Sequence, residues 1–269
     1  MTMGARQYFK AGRGGDRQEI VIRDDQLDFA ALLDLAKERR KNHGRLKLVD
    51  SGAFDPSKLE WLGEAGADIY TSDLARPNAG EIVRIGRAAK KGNAVAAYFH
   101  HGPLDSDEKE KTIPFSGLLE MGRSGIDLHL SNKQQQREWR KLEELAFACE
   151  NGGARLVLYH HGPFAADLEK LVRQGAWIHI SDESLGSEQD VTALVDCVAA
   201  ARGSGSNLVF HLEHSMKLVW LENIFASGAF VLFQIPPTDY RSPLRPFETA
   251  SKKRRPDPRS IYIDATFLL

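Results

Sequence analysis

Cysteine is nearly absent from this chain: there are 2 in 269 residues, Cys149 and Cys197. Both fall in stretches with helical periodicity, which argues against a disulfide framework, a Cys-based zinc ribbon or an iron–sulfur cluster. No apolar run approaches the ~20 residues needed to span a bilayer. The first residues, Met1-Thr2-Met3-Gly4-Ala5-Arg6, lack the apolar core of a secretory signal, so the expected location is the cytoplasm. Charge of one sign is missing too. A formal net charge of −1 gives no global reason to expect nucleic acid or a charged membrane surface as partner. No G-x-G-x-x-G follows an apolar run, which removes the usual phosphate loop of an open, doubly wound dinucleotide-binding sheet.

What is present is a regular beat of glycine. Gly44, Gly66, Gly92, Gly125, Gly153, Gly175, Gly205 and Gly228 each close a helical stretch and precede an apolar run. Glycine tolerates the left-handed conformation that ends helices. The runs are Leu46–Val49, Ile69–Ser72, Val95–Phe99, Ile126–Leu130, Leu156–Tyr159, Trp177–Ile180, Leu208–Leu212 and Phe230–Ile235. Between them, stripes such as Leu168/Leu171/Val172 and Val191/Leu194/Val195/Val198 have the spacing of one buried helix face. Eight strands alternating with helices predict an α/β fold of the (β/α)₈ TIM-barrel type. The prolines Pro236, Pro237, Pro243 and Pro246 leave no helix after the last run. The helix Gln26–Lys41 is expected to cover that gap, with Glu19–Arg23 and Ile261–Phe267 as short accessory strands. A count beginning at Glu19 is the alternative. The expected organisation is an accessory segment and helix over 1–44, the barrel over 45–237 and an irregular basic segment over 238–269.

Eight of the nine histidines lie at the downstream ends of these strands. Four form a duplicated signature, His100-His101-Gly102-Pro103 and His160-His161-Gly162-Pro163. The ends alternate in kind. One set reads Asp50-Ser51-Gly52, His100-His101-Gly102, His160-His161-Gly162 and Glu213-His214-Ser215. The other reads Tyr70 to Asp73, His129 to Asn132, His179 to Asp182 and Gln234 to Pro237. Alternation of this kind suits a barrel, whose inner layers draw on alternate strands.

Side-chain parity then suggests which residues face inward. Leu208/Phe210/Leu212, Ile178/Ile180 and Leu128/Leu130 suit the helix side, leaving His211, Glu213, His179 and His129 inward. Carried through the repeat, this places Asp50, His100, His160 and Glu213 in one inward layer. Two imidazoles and two carboxylates there would hold a divalent zinc, manganese or iron ion. His101, His161, His214, Asp182 and Glu183 are the expected groups for substrate contact and proton transfer, with Asp182 or Glu183 as general base. His129, His179 and His211 are expected to orient the ligands. Arg241 and Arg245 would bind a substrate anion over the mouth. Lys133 and Lys217, just past strand ends, are weaker candidates.

The rim chemistry is broadly similar to that of metal-dependent (β/α)₈ hydrolases. Their opening His-x-His pattern is not here; Asp50-Ser51-Gly52 stands in its place. The reading is a metal-dependent TIM-barrel hydrolase acting on a small polar molecule. The alternatives are a metal-free acid/base lyase or isomerase, and a non-catalytic barrel using its basic C-terminal segment to bind an anionic ligand or partner. A small-molecule substrate is expected, no membrane or nucleic acid is, and an oligomer is left open.

Overall fold

A computed structural model describes residues 19–104, 113–133, 135–214 and 216–233. Within them the elements run β1 (Glu19–Arg23), α1 (Phe29–Lys41), β2 (Arg45–Val49), α2 (Pro56–Glu64), β3 (Asp68–Ser72), α3 (Ala79–Lys91), β4 (Ala96–His100), α4 (Phe115–Arg123) and β5 (Asp127–Ser131). Then come α5 (Trp139–Gly152), β6 (Leu156–His160), α6 (Asp167–Arg173), β7 (Trp177–Ser181), α7 (Glu188–Ser204), β8 (Leu208–Leu212), α8 (Leu218–Ser227) and β9 (Phe230–Phe233). The strands hydrogen-bond in chain order from β1 to β9, each neighbour parallel to the last. This is an α/β fold of the TIM type, with a crossover helix between each strand and the next from β1 to β9, as parallel pairing demands. Among the described residues no helix is long and apolar enough to cross a membrane.

The sheet begins one strand earlier than the run from Leu46 suggests. Glu19–Arg23 pairs with Arg45–Val49 along its whole length. Helix α1 is therefore the crossover between β1 and β2. Its Leu32 and Ala36 lie in one buried cluster with Leu46, Leu48, Leu59 and Leu62, so it packs over β2 and beside α2. The proposed strand Ile261–Phe267, Gln234 and the basic segment lie outside the described residues.

Two apolar layers hold the sheet. On the helix side, Ala96, Tyr98, Leu128, Leu130, Leu156, Leu158, Ile178, Ile180, Leu208, Phe210 and Leu212 meet the helix stripes. On the other face, Tyr70, Ala97, Phe99, Val157, Tyr159 and Trp177 form a separate cluster. Trp61 is 61% exposed, its ring tilted against Phe29 at 5.9 Å between centroids.

Helices meet in pairs through glycine. A Cβ on Gly92 would stand 1.9 Å from the Gly63 carbonyl oxygen, and one on Gly152 would stand 2.0 Å from that of Gly122. Only hydrogen fits there. At Gly92 this close approach replaces the expected cap: its φ is −74°, and Asn93 takes the left-handed conformation at φ 55°. The upstream strand ends show the same two-strand repeat. Asp68 Oδ1 accepts the Val95 N–H at 2.8 Å, and Asp127 Oδ1 accepts the Arg155 N–H at 2.9 Å.

Candidate functional site

At the downstream rim one device recurs four times. The residue just past β1, β3, β5 and β7 is Asp24, Asp73, Asn132 or Asp182, and each reaches sideways to the main chain at the end of the next strand. Asp24 Oδ1 accepts the Ser51 N–H at 2.9 Å and its hydroxyl at 2.5 Å. Asp73 Oδ2 accepts from the N–H groups of His101 and Gly102 at 2.7 and 2.9 Å. Asn132 Oδ1 accepts the His161 N–H at 2.6 Å, and its amide donates to the His161 carbonyl at 3.0 Å. Asp182 accepts the N–H groups of Glu213 and His214 at 2.6 and 3.0 Å. A short side chain with paired acceptors satisfies strand-end donors that no further ladder would reach. Asp182, expected as a general base, thus has a main-chain N–H on each carboxylate oxygen, and His214 Nδ1 stands 3.4 Å from Oδ2.

The inward quartet is not formed. In β4 and β6 the residues sharing parity with His100 and His160 are Ala96/Tyr98 and Leu156/Leu158, which pack on the helix side. In β2 those sharing parity with Asp50 are Leu46 and Leu48. Asp50, His100 and His160 accordingly turn behind the sheet, and only Glu213 shares the inward parity of His211. Asp50 binds Arg76 with both oxygens, Nε at 2.6 Å and Nη2 at 3.0 Å, and accepts the Thr71 hydroxyl at 2.6 Å. It is the anionic half of a buried ion pair.

His160 Nε2 donates to the Pro163 carbonyl at 3.0 Å, so its Nδ1 accepts from the Asn132 amide at 3.2 Å. Burial lowers its pKa, while the Pro163 carbonyl pulls the other way. His100 makes the same loop-closing contact with Pro103 at 3.3 Å. Its Nδ1 stands 3.2 Å from Asp73 Oδ2 but out of hydrogen-bond alignment. In each His-His-Gly-Pro signature, then, the first histidine closes the turn and the second stands at the rim.

The inward histidines do converge. Rings run along the inner face from Phe99 to His129 (4.3 Å between centroids), to Tyr159 (6.0 Å), to His179 (4.5 Å) and to His211 (5.2 Å). His129 Nδ1 meets the Tyr159 hydroxyl at 3.2 Å, and His179 Nδ1 meets His211 Nε2 at 2.9 Å. Burial depresses all three imidazoles, His129 to about 3 and His211 to about 4, the latter helped by the charge of His161. His179 falls well below the usual range through burial, with His211 and His129 adding repulsion. All three are neutral at pH 7.

Above them, between the ends of β5 and β8, lie Lys133, His161, Glu183, Glu213 and His214. The His161 pKa is lowered by burial, by Lys133 and by His160, with Glu183 opposing. The Glu213 pKa is raised by burial and by the carboxylates of Asp182 and Glu183. Ligand atoms of Glu183, Glu213 and His214 all lie within 4.8 Å of one another, and all three residues are exposed. Among the described residues this is the one such group of three or more. It differs from the expected metal set in every member but Glu213. Asp24, Asp73 and Asn132 were not singled out as rim-forming groups. A signal is present for all but Asp24, which follows Arg23: a Ser-Asp or Ser-Asn pair closes alternate strands at Ser72-Asp73, Ser131-Asn132 and Ser181-Asp182. Arg241 and Arg245 lie outside the described residues.

No protein-family model matches the chain, and no curated protein sequence does. Solved structures match at low identity. A mandelate racemase/muconate lactonizing protein from Herpetosiphon aurantiacus is 13% identical over 81% of this chain and 53% of its own, at TM-score 0.36, so this chain spans about half its length. The citrate synthase SbnG is 13% identical over 81% of this chain and 97% of its own, at 0.33. A putative lyase/mutase from Burkholderia cenocepacia is 14% identical over 90% and 86%, at 0.32. The hydrolase expectation is corrected here. The quartet meant to hold a hydrolytic water is not assembled, because Asp50, His100 and His160 share the parity of the helix-side residues.

Proposed function

We propose that the protein is an enzyme that moves a proton on a small carboxylate- or carbonyl-bearing substrate, a lyase or isomerase, at the rim where β5 to β8 end. The observation that carries this reading is the cluster of Glu183, Glu213 and His214 beside a buried, neutral His179–His211 pair, with His161 and Lys133 facing it. Pairs of titratable groups driven to different protonation states are the usual sign of acid/base chemistry.

Two carboxylates and one imidazole within ligand distance of a common centre suit a divalent zinc, manganese or iron ion. Burial and, after it, the neighbouring carboxylates of Asp182 and Glu183 raise the Glu213 pKa, and a cation there would offset that cost. When bound, it would supply Lewis-acid polarisation of a substrate oxygen. The chain's own groups do the rest. Lys133 brings positive charge to the substrate's anionic end. His211 presents an imidazole, not an imidazolium, and its bond to His179 couples the tautomers of the two rings, one nitrogen donating and the other accepting. His161, held neutral, takes or returns the substrate proton.

The test uses the metal-stripped full chain. Mn²⁺ binding is followed by electron paramagnetic resonance. Exchange of C–H for C–D in a panel of small 2-oxo and 2-hydroxy carboxylates is followed by NMR in D₂O. The expected result is one Mn²⁺ per chain, at least tenfold weaker in Glu213→Gln, and exchange slowed by roughly 10²-fold or more in His161→Gln. Neither binding nor exchange in the wild type would overturn the reading.

A further inference from the structure

The two His-His-Gly-Pro turns are built alike, yet the residue that clamps them differs by one functional group. Asp73 supports the first and Asn132 the second. Asp73 does more than hold main chain: its Oδ1 stands 2.5 Å from His101 Nδ1. In the second copy the amide spends its oxygen on the His161 N–H and its nitrogen on the His161 carbonyl and on His160. The ring of His161 receives no carboxylate from its clamp. A carboxylate against Nδ1 fixes that nitrogen as the proton carrier and favours the charged ring; an amide does neither.

We propose that the duplicated turns have become a complementary acid–base pair, with His101, positioned by Asp73, as the proton donor and His161, held by Asn132, as the proton acceptor. Corresponding positions on β4 and β6 are two strand spacings apart, about 10 Å, room for a small molecule to lie between the two rings. The step balances within the pair. His161 takes a proton from a substrate C–H bond, whose electron pair stays with the substrate. The Nε2–H bond of His101 breaks and its proton passes to the developing substrate oxyanion. His101 ends neutral, its remaining proton on Nδ1 and hydrogen-bonded to Asp73, and His161 ends as the imidazolium. Return of both protons at product resets the pair.

The surroundings agree with this division. Around His101 stand Asp73, the His100 ring on the other carboxylate oxygen, and Arg137, whose guanidinium is spent on the carbonyls of His100, His101 and Gly102. Burial opposes ionisation of Asp73, yet the contacts from His100, His101 and the Gly102 N–H hold its carboxyl far below the usual range. At His161 burial, Lys133 and His160 all resist a positive charge, with Glu183 alone favouring it.

The substrate step rests on the proposed proton-transfer reading; the protonation states do not. They are read by ¹³C-histidine NMR of the full chain across pH 4.5–9, with signals assigned through His101→Gln and His161→Gln. His101 is expected to titrate at higher pH than His161. Asp73→Asn, which keeps an acceptor for the strand-end N–H groups, should lower the His101 midpoint by a unit or more, a tenfold change in protonation. Asn132→Asp should raise that of His161 by a similar amount. Should Asp73→Asn fail to fold, Asn132→Asp alone decides. Equal midpoints in the wild type, or a His161 midpoint unmoved by Asn132→Asp, overturns the pair. The intended order of midpoints without any substrate exchange would overturn the functional reading and leave the pair standing.

Discussion

The buried pair of Asp50 and Arg76 gives the sharpest test of how the rim is supported. Asp50 is 2% exposed and Arg76 5% exposed. Replacing Asp50 with Ala removes the acceptor for Arg76 Nε and Nη2 and for the Thr71 hydroxyl. The hydroxyl can rotate toward another partner, and the Gly52 N–H, whose residue is exposed, can take water. The guanidinium has no such escape. Its remaining fixed contacts are the Phe54 carbonyl and, at 3.9 Å, a carboxylate oxygen of Glu81. Stranding one charge of a buried pair costs about 3–5 kcal/mol, a large part of the ~5–15 kcal/mol that holds a domain together. At roughly 2–4 °C per kcal/mol for a chain of this size, Tm should fall by about 6–20 °C. Urea unfolding followed by circular dichroism measures the loss directly. The double variant Asp50→Ala/Arg76→Met should recover at least half of it, because the stranded charge leaves with its partner. A single variant within about 1 kcal/mol of wild type, or a double variant no better than the single, would refute the argument.

Other outcomes follow from the same geometry. Gly92→Ala and Gly152→Ala should each destabilise by about 1–3 kcal/mol or more by forcing their helix pairs apart, whereas Gly203→Ala, with nothing within 4 Å of the added methyl, should stabilise α7 by ~0.5–1 kcal/mol; thermal melts of the three separate crowding from propensity. The unfolded chain protonates histidine near its ordinary value, while folded His129 and His211 resist until about 3 and about 4. The unfolded state therefore binds more protons between those values and ~6.5, so stability falls as pH drops through that window. From pH 7 to pH 5 each such histidine should cost about 2 kcal/mol, and His129→Gln should flatten the urea-midpoint profile; an unchanged slope would show that His129 is not a source of the acid sensitivity.

How far the sequence alone carries can be seen strand by strand. In β5, β7 and β8 the apolar residues sit at every second position, Leu128/Leu130, Ile178/Ile180 and Leu208/Phe210/Leu212, so the inward places of His129, His179 and His211 follow from the period of two. In β4 and β6 both faces are apolar: Ala96-Ala97-Tyr98-Phe99 and Leu156-Val157-Leu158-Tyr159 are buried throughout. A continuous apolar run carries no parity. Phe99 and Tyr159 take the inner face there, and His100 and His160 fall behind the sheet. β1 was equally hard to weigh, because Val21 remains 44% exposed and the run is short. The clamps were illegible for another reason. Asp24, Asp73, Asn132 and Asp182 find their partners 27 to 32 residues away, and an Asp after a strand reads in sequence as an ordinary turn residue.

These clamps also bear on why the candidate reacting groups sit at the ends of β4, β6 and β8. Each fixes the main chain at the end of the following strand, so the residue carried there can change without disturbing the support beneath it. After β2 that place holds Ser51, whose hydroxyl is spent on Asp24. After β4 and β6 it holds His101 and His161, and after β8 Glu213 and His214, whose N–H groups are pinned by Asp182 while their side chains join Glu183 and His214 Nδ1 also stands 3.4 Å from Asp182. A rigid backbone under a variable side chain is the arrangement in which a rim acquires function without loss of fold. By that logic Asp182 is a strut beneath the candidate site, and the groups proposed to react are side chains on the strand ends that it and its counterparts hold.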